Sequence, residues 1–183
     1  MKILFFGDIV GRIGVNALSS LLPKLRKEFG ASFVIANGEN ASKGKGLTYK
    51  DYQSLIDAGV DVVTLGNHYR SKDQIDDYID DVDYLVRPLN ASGYEHGVGS
   101  AIFNVDGIDI RVTNILGQGM MKEEVRSPFY DMKDLLSSEE VAPIHIVDYH
   151  GESTSEKKTF AFYFDGKVSA VLGTHTHVQT HDE

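Results

Sequence analysis

The chain has 183 residues and contains no cysteine, which excludes disulfides, catalytic thiolates, iron–sulfur clusters and cysteine-bound zinc. Its length is sufficient to bury a hydrophobic core without covalent cross-links. Its 18 basic and 27 acidic residues give a net charge of −9, which argues against a broad basic face for duplex nucleic acid.

The first half of the chain alternates short apolar runs with helix-like segments. Three of the runs predict strands that end in polar residues: 3–6, 33–36 and 60–65. Leucines at helical spacing predict a helix that reaches residue 29, in which Pro23 predicts a kink or a break between two helices. Another helix is predicted over 48–58 with Thr48 as its N-cap, and a third begins at the capping-box sequence of residues 71–74.

The second half predicts further strands, over 101–105, 108–115, 144–149 and 168–172. Asp106-Gly107 is a strong hairpin signal between the first two. A short helix is predicted over 132–140, and Ser155 is the predicted cap of a later one. This alternation predicts one α/β domain over residues 1–183, in which a mixed β-sheet is layered between flanking helices.

Polar clusters follow five of the predicted strands: Asp8, Glu39-Asn40, Asn67-His68, His150, and His175 with His177. Because ligands bind beyond the carboxyl ends of strands in open α/β sheets, we expect these clusters to converge. Carboxylate, amide and imidazole groups suit manganese, iron or zinc, and this number of ligands favours two metal ions. Each cluster taken alone also fits a turn, a surface histidine pair or a buried structural histidine.

In combination, the motifs resemble those of the calcineurin-like metallophosphoesterase superfamily. Two differences from the usual pattern match its YmdB-like phosphodiesterase branch: Gly7-Asp8-Ile9-Val10-Gly11 stands where Asp-x-His is usual, and Glu39 replaces the second aspartate. Further matching motifs are Val147-Asp148-Tyr149-His150-Gly151-Glu152 and Gly173-Thr174-His175-Thr176-His177. The resemblance spans essentially the whole chain. Members of this family usually continue past the last motif, so we expect the last C-terminal elements of the fold to be absent.

The resemblance implies a dinuclear metal-dependent phosphodiesterase that hydrolyses cyclic nucleotides, 2′,3′-cyclic and also 3′,5′-cyclic. It implies two transition-metal ions, with iron favoured and manganese or zinc as alternatives. Residues implied to hold the first metal are Asp8, Glu39, Asn40 and His177. Residues implied to hold the second are Glu39, Asn67, His150 and His175, so that Glu39 bridges the two ions.

The resemblance also implies that His68 is the general acid. It would protonate the leaving oxygen after attack by a hydroxide that bridges the metals, a role that suits an imidazole near neutral pH. Arg70 is a candidate phosphate contact, and a solvated loop arginine is the alternative. Ser42 and Glu152 are candidate partners of the ligands.

Two other functions stay open: a metal-binding regulatory or scaffold protein with weak or lost catalysis, and a phosphomonoesterase of the same superfamily. We expect a small phosphodiester as the partner, with no duplex nucleic acid and no membrane. The hairpin at Asp106-Gly107 and the loop containing Met120-Met121 are candidate surfaces for a homo-oligomer. Apolar runs of strand length and the lack of a signal-peptide pattern predict a cytoplasmic location.

Overall fold

The computed structural model describes residues 1–180 of the chain. The elements of its first part are β1 (Ile3–Phe6), α1 (Gly11–Phe29), β2 (Phe33–Asn37), α2 (Tyr49–Asp57), β3 (Val62–Thr64), two short 3₁₀ helices (Asp73–Asp77 and Ile79–Asp81) and β4 (Leu85–Val86). The elements of its second part are β5 (Ser100–Val105), β6 (Ile108–Leu116), α3 (Pro128–Ser138), β7 (Ile144–His150), α4 (Thr154–Tyr163) and β8 (Ala170–Thr174).

The strands form two four-stranded sheets. The first sheet has the order β1-β2-β3-β4, and all its strands are parallel. The second has the order β5-β6-β7-β8, with β5 antiparallel to β6 and the other pairs parallel. Asp106 and Gly107 both have positive φ, 52° and 83°, as a tight two-residue hairpin turn requires. The predicted α/β fold with flanking helices is confirmed, and its strands are divided between a parallel and a mixed sheet.

The two sheets pack face to face across an apolar core. Phe33 and Ile35 of β2 lie in this core with Ile110 and Val112 of β6 and Ile146 of β7. Alternate residues of a strand point to opposite faces, so the residues between them face outward. This shared core supports the proposal that both sheets belong to one domain.

Helices cover the outer face of each sheet. Val34 and Ala36 pack with Leu22 of α1 and Leu55 of α2 on the first sheet. On the second sheet, the cluster around Tyr149 includes residues of α3 and α4. The molecule therefore has four layers, helix–sheet–sheet–helix. Within residues 1–180, the structure has no helix that is both long and apolar enough to cross a membrane.

Helix α1 continues through Pro23 to Phe29, so of the two outcomes predicted at Pro23 the break into two helices does not occur. Two other local predictions are wrong. The capping-box sequence at 71–74 does not begin an α-helix: two 3₁₀ helices follow, and no side chain caps the first. Crowded aspartates in this segment disfavour an α-helix, because like charges three or four residues apart repel. The N-cap of α4 is Ser153, which accepts from the backbone N–H of Glu156, and not Ser155.

The register of the sheets brings the polar clusters to one edge. The carboxyl ends of β1, β2 and β3 lie side by side, with Asn37 opposite Thr64. In the second sheet, His150 at the end of β7 lies opposite Thr174 at the end of β8. Because the sheets pack face to face, these two rows of strand ends meet.

Candidate metal centre

The structure brings together all eight residues that the strand ends predicted. Each lies within 3.4 Å of at least one other member of the set: Asp8, Glu39, Asn40, Asn67, His68, His150, His175 and His177. Glu39, His150 and His175 each offer a ligand atom, and these three atoms lie within 4.8 Å of one another. The expected convergence of distant clusters is therefore present.

Glu39 lies at the middle of this set and is only 1% exposed. Its Oε1 atom lies 3.2 Å from Nε2 of His150 and 3.1 Å from Nδ1 of His68, and its Oε2 atom accepts from the backbone N–H of His68 at 2.8 Å. Burial acts to raise the pKa of Glu39, but the hydrogen bonds with His150 and His68 outweigh it. The pKa of Glu39 is therefore well below its usual range, and the side chain is a buried anion.

His150 is fully buried and has a different partner at each ring nitrogen. Its Nδ1 atom lies 2.8 Å from Oγ1 of Thr174, whose hydroxyl donates to Asp148 at 2.6 Å. The hydroxyl has one hydrogen, so its oxygen accepts from Nδ1–H of His150. The other nitrogen, Nε2, lies 3.0 Å from Oδ1 of Asn67 and 3.2 Å from Glu39.

His175 adds another nitrogen to the same space. Its Nδ1 atom lies 3.1 Å from Nε2 of His150, and its Nε2 atom lies 3.2 Å from Oε2 of Glu152. Glu152, a candidate partner of the ligands, is therefore in direct contact with His175. Burial and the neighbouring His150 lower the pKa of His175, which favours the neutral ring that a metal ion requires.

Asp8 contacts the two remaining candidate ligands, Asn40 and His177. Its Oδ1 atom lies 3.4 Å from Nε2 of His177 and accepts from Nδ2 of Asn40 at 3.3 Å. Its Oδ2 atom accepts from the backbone N–H of His175 at 2.9 Å. Asn40 also donates to Glu39 at 2.7 Å, so its amide nitrogen faces both carboxylates. Ligation through the oxygen of Asn40 would require this amide to turn over.

The donor set fits a metal cation. Around Nε2 of His150 lie a carboxylate oxygen, an amide oxygen and an imidazole nitrogen, all of which carry lone pairs. Such groups repel one another unless a proton or a metal cation lies between them. Burial alone would lower the pKa of His150, but the hydrogen bond and the negative charge of Glu39 outweigh burial, so the pKa is raised. The residues thus form a nitrogen-and-oxygen site of the kind that manganese, iron and zinc prefer.

Several contacts of the centre were not anticipated from the sequence. Glu123, from the loop between β6 and α3, accepts from Nδ2 of Asn67 at 3.1 Å, which turns the oxygen of Asn67 toward His150. No motif in the sequence around Glu123 indicates this contact with Asn67. Asp148 and Thr174 lie beneath His150, and the period-two pattern of β7 could have shown that Asp148 shares a face with His150.

Two candidate neighbours of the site have other contacts. The guanidinium of Arg70 lies 4.9 Å from the centre of the Tyr94 ring and 3.9 Å from Asp76, so it is held by a cation–π contact and an ion pair. Ser42 donates to Asp51 and accepts from the backbone N–H of Thr48, so it shapes the loop before α2. These contacts give both side chains a structural role.

An open groove of about 640 Å³ adjoins the centre on the side of Asp8 and His177. A larger cavity of about 850 Å³ lies at the opposite end of the sheets, near Phe33 and Tyr84. None of the candidate ligands lines that second cavity. Asp8 and His177 line the smaller groove, whereas Glu39, His68 and His150 do not.

Comparison with known proteins agrees with these motifs. The YmdB-like protein family matches residues 4–183. The 2′,3′-cyclic-nucleotide 2′-phosphodiesterase of Bacillus subtilis is 43% identical over 183 residues, which cover 100% of this chain and 69% of that protein. A phosphatase/phosphodiesterase of Mycoplasma genitalium is 40% identical over 188 residues, covering 100% of this chain and 66% of the relative.

Solved structures show the same fold. A crystal structure of a protein from Thermus thermophilus superposes with a TM-score of 0.93 at 40% identity, covering 100% of this chain and 70% of that one. A 5′-nucleotidase structure from Staphylococcus aureus superposes with a TM-score of 0.64 at 20% identity, and the match covers 91% of this chain and 40% of the nucleotidase chain. At this identity the likeness shows the fold alone. The chain spans about two thirds of the length of the curated relatives it matches. Because the family model matches residues 4–183, the chain belongs to the YmdB-like family.

Proposed function

We propose that this chain carries the catalytic centre of a dinuclear metal-dependent phosphodiesterase that acts on cyclic nucleotides. The observation that carries the proposal is the position of Glu39, a buried carboxylate that contacts ligand candidates from both sheets. The phosphodiesterase named among its relatives supports the reaction class.

In this proposal, Glu39 would help to hold both of two cations. Asp8, Asn40 and His177 would complete the ligands of the first cation, and Asn67, His150 and His175 would complete those of the second. Two cations bound there would offset the negative charge of a phosphodiester and lower the pKa of a water molecule at the site. Iron is the favoured metal, and manganese and zinc are alternatives because the same donors suit all three.

His68 takes the role of the general acid. Its Nδ1 atom faces Glu39, so the opposite edge of the ring, with Nε2, is the edge that can meet a leaving oxygen. Its side chain is 26% exposed, against 1% for Glu39, as expected of a group that meets substrate and does not lie under it. A well-placed general acid contributes about 10²–10⁴-fold to the rate.

We propose 2′,3′-cyclic nucleotides as the first substrates to test, since a 43% identical relative is named for that activity, and 3′,5′-cyclic nucleotides as the second. The cytoplasmic location and the homo-oligomer stay predictions.

The deciding experiment compares four substrates with the purified chain. These are 2′,3′-cyclic AMP, 3′,5′-cyclic AMP, bis-p-nitrophenyl phosphate and p-nitrophenyl phosphate, each with Mn²⁺ and with excess EDTA. Metal-dependent hydrolysis of the diesters, with 2′,3′-cyclic AMP preferred, is the expected result. Faster hydrolysis of the monoester would replace the proposal by a phosphomonoesterase, and bound metal without turnover would replace it by a scaffold protein.

A further inference from the structure

Beneath the metal centre lies a carboxylate that is not one of the proposed ligands. Asp148 of β7 is fully buried between the sheets. It accepts hydrogen bonds from Asn37 of β2 at 2.9 Å, from Thr64 of β3 at 2.6 Å and from Thr174 of β8 at 2.6 Å. A buried carboxyl group is costly unless it is hydrogen-bonded, so this arrangement of three donors is a specific feature of the fold.

One of these donors connects Asp148 to a candidate ligand from the second sheet. The hydroxyl of Thr174 donates to Asp148, and its oxygen therefore accepts from Nδ1–H of His150 at 2.8 Å. This direction leaves Nε2 of His150 as the nitrogen that faces Glu39 and Asn67. Through Thr174, Asp148 is thus linked by hydrogen bonds to Nδ1 of His150, the ring nitrogen that does not face the centre.

A second donor connects Asp148 to a candidate ligand from the first sheet. Asn37 donates through Nδ2 to Asp148 and to the backbone oxygen of Leu65. With its amide nitrogen held in this way, its Oδ1 atom accepts from the backbone N–H of Glu39 at 3.1 Å. The turn that carries Glu39 is therefore anchored to the same carboxylate.

We propose that Asp148 is a positioning residue of the metal centre: through Thr174 it orients His150, and through Asn37 it anchors Glu39. The inference rests on the proposed function, because it assigns a role to residues behind the proposed ligands. Partners behind metal ligands typically change metal affinity by about 10–100-fold when they are removed.

The alternative role for Asp148 is only to join the two sheets. Thr64 separates the two roles, since it donates to Asp148 as closely as Thr174 does but bonds to none of the ligands. Both threonines are buried, so valine at either position removes a buried hydroxyl with little change in shape.

The test measures Zn²⁺ dissociation constants by competition with a chromophoric chelator, and the stability of each metal-free variant by urea unfolding. Thr174→Val is expected to weaken zinc binding by about 10–100-fold, and Thr174→Ser to restore it, because serine keeps the hydroxyl. Asn37→Ala is expected to weaken binding in the same direction. Thr64→Val is expected to lose stability while its zinc affinity stays near that of the unmodified protein.

Equal zinc affinity in Thr174→Val and the unmodified protein would overturn the inference, as would an equal loss in Thr64→Val and Thr174→Val. If the unmodified protein binds no zinc, manganese or iron, the proposed centre itself fails, which is a different result.

A second measurement requires no variant that has to fold. Nitrogen-15 NMR of the zinc-loaded protein, with His150 assigned through its backbone, shows which ring nitrogen carries the proton. The expected result is a proton on Nδ1 and zinc on Nε2. A proton on Nε2 with zinc on Nδ1 would overturn the inference even if zinc binds tightly.

Discussion

The Oε1 atom of Glu39 lies 3.2 Å from the Nε2 atom of His150, and the two residues come from different sheets. Glu39 follows β2 of the parallel sheet, whereas His150 ends β7 of the mixed sheet. Neither sheet by itself contains the centre. The centre therefore depends on how the two sheet edges meet.

Gly66 allows this close approach. A Cβ atom at Gly66 would overlap the carboxylate of Glu39 and lie 2.5 Å from Nε2 of His150. We expect Gly66→Ala to displace one of these ligands and to lower metal affinity by at least about 10-fold. Metal content after dialysis against limiting Mn²⁺ measures the effect.

Gly7 supplies the matched control, since it precedes Asp8 but has open space where a Cβ would be. Gly7→Ala should keep its metal. Equal metal content in the two alanine variants would contradict the steric explanation.

Substitution of His68 and of His175 should have different consequences. His68→Ala should retain metal and lose about 10²–10⁴-fold in turnover, because a general acid acts on the leaving group. His175→Ala should lose metal as well as turnover, since its Nδ1 atom faces the proposed metal position. Metal analysis and the rate of diester hydrolysis on the same samples compare the two. Equal metal loss in both variants would refute this division of roles.

Glu123 should support metal binding without being a ligand. It holds the amide nitrogen of Asn67, so its removal frees the amide to turn its oxygen away from the centre. We expect Glu123→Ala to weaken Mn²⁺ binding by about 10-fold. Glu124→Ala removes the same charge at the next, exposed position and should leave binding unchanged. If both variants weaken binding alike, the effect comes from net charge and not from the contact with Asn67.

His145 should make the fold sensitive to acid. It is buried on β7 beside Thr113, and burial, with a smaller effect from the charge of Arg111, lowers its pKa from 6.5 to about 4. In the unfolded chain, His145 binds a proton below about pH 6.5, whereas in the native state it binds one only below about pH 4. Stability is therefore lost as the pH falls through this interval.

Between about pH 7 and about pH 4.5, the free energy of unfolding of the metal-free protein should fall by about 2 kcal/mol more than that of His145→Gln. Glutamine does not titrate and keeps a polar group beside Thr113. Urea unfolding in EDTA at a series of pH values measures the difference. Parallel pH profiles for the two proteins would show that His145 is not the responsible group.

Much of the fold was predictable because its signals are local. An apolar run followed by a polar cluster predicted β1 with the bounds that the structure has, Ile3–Phe6, and the turn residues Asp106-Gly107 predicted the hairpin of β5 and β6. Thr48 caps α2 as predicted, accepting from the backbone N–H of Asp51. The α-helix predicted from the capping-box sequence at residues 71–74 does not form, because repulsion among the aspartates that follow disfavours it.

By itself, the sequence determined which side chains are available at the strand ends, because strand, turn and polar cluster follow one another along a few residues. The tertiary structure alone decided that the strands form two sheets, that Glu39 lies between the two ligand groups, and that Asn37 donates to Asp148 across 111 positions. Hydrogen bonds of that kind depend on strand register and on how two sheets pack, and neither leaves a periodic signal in the residues themselves.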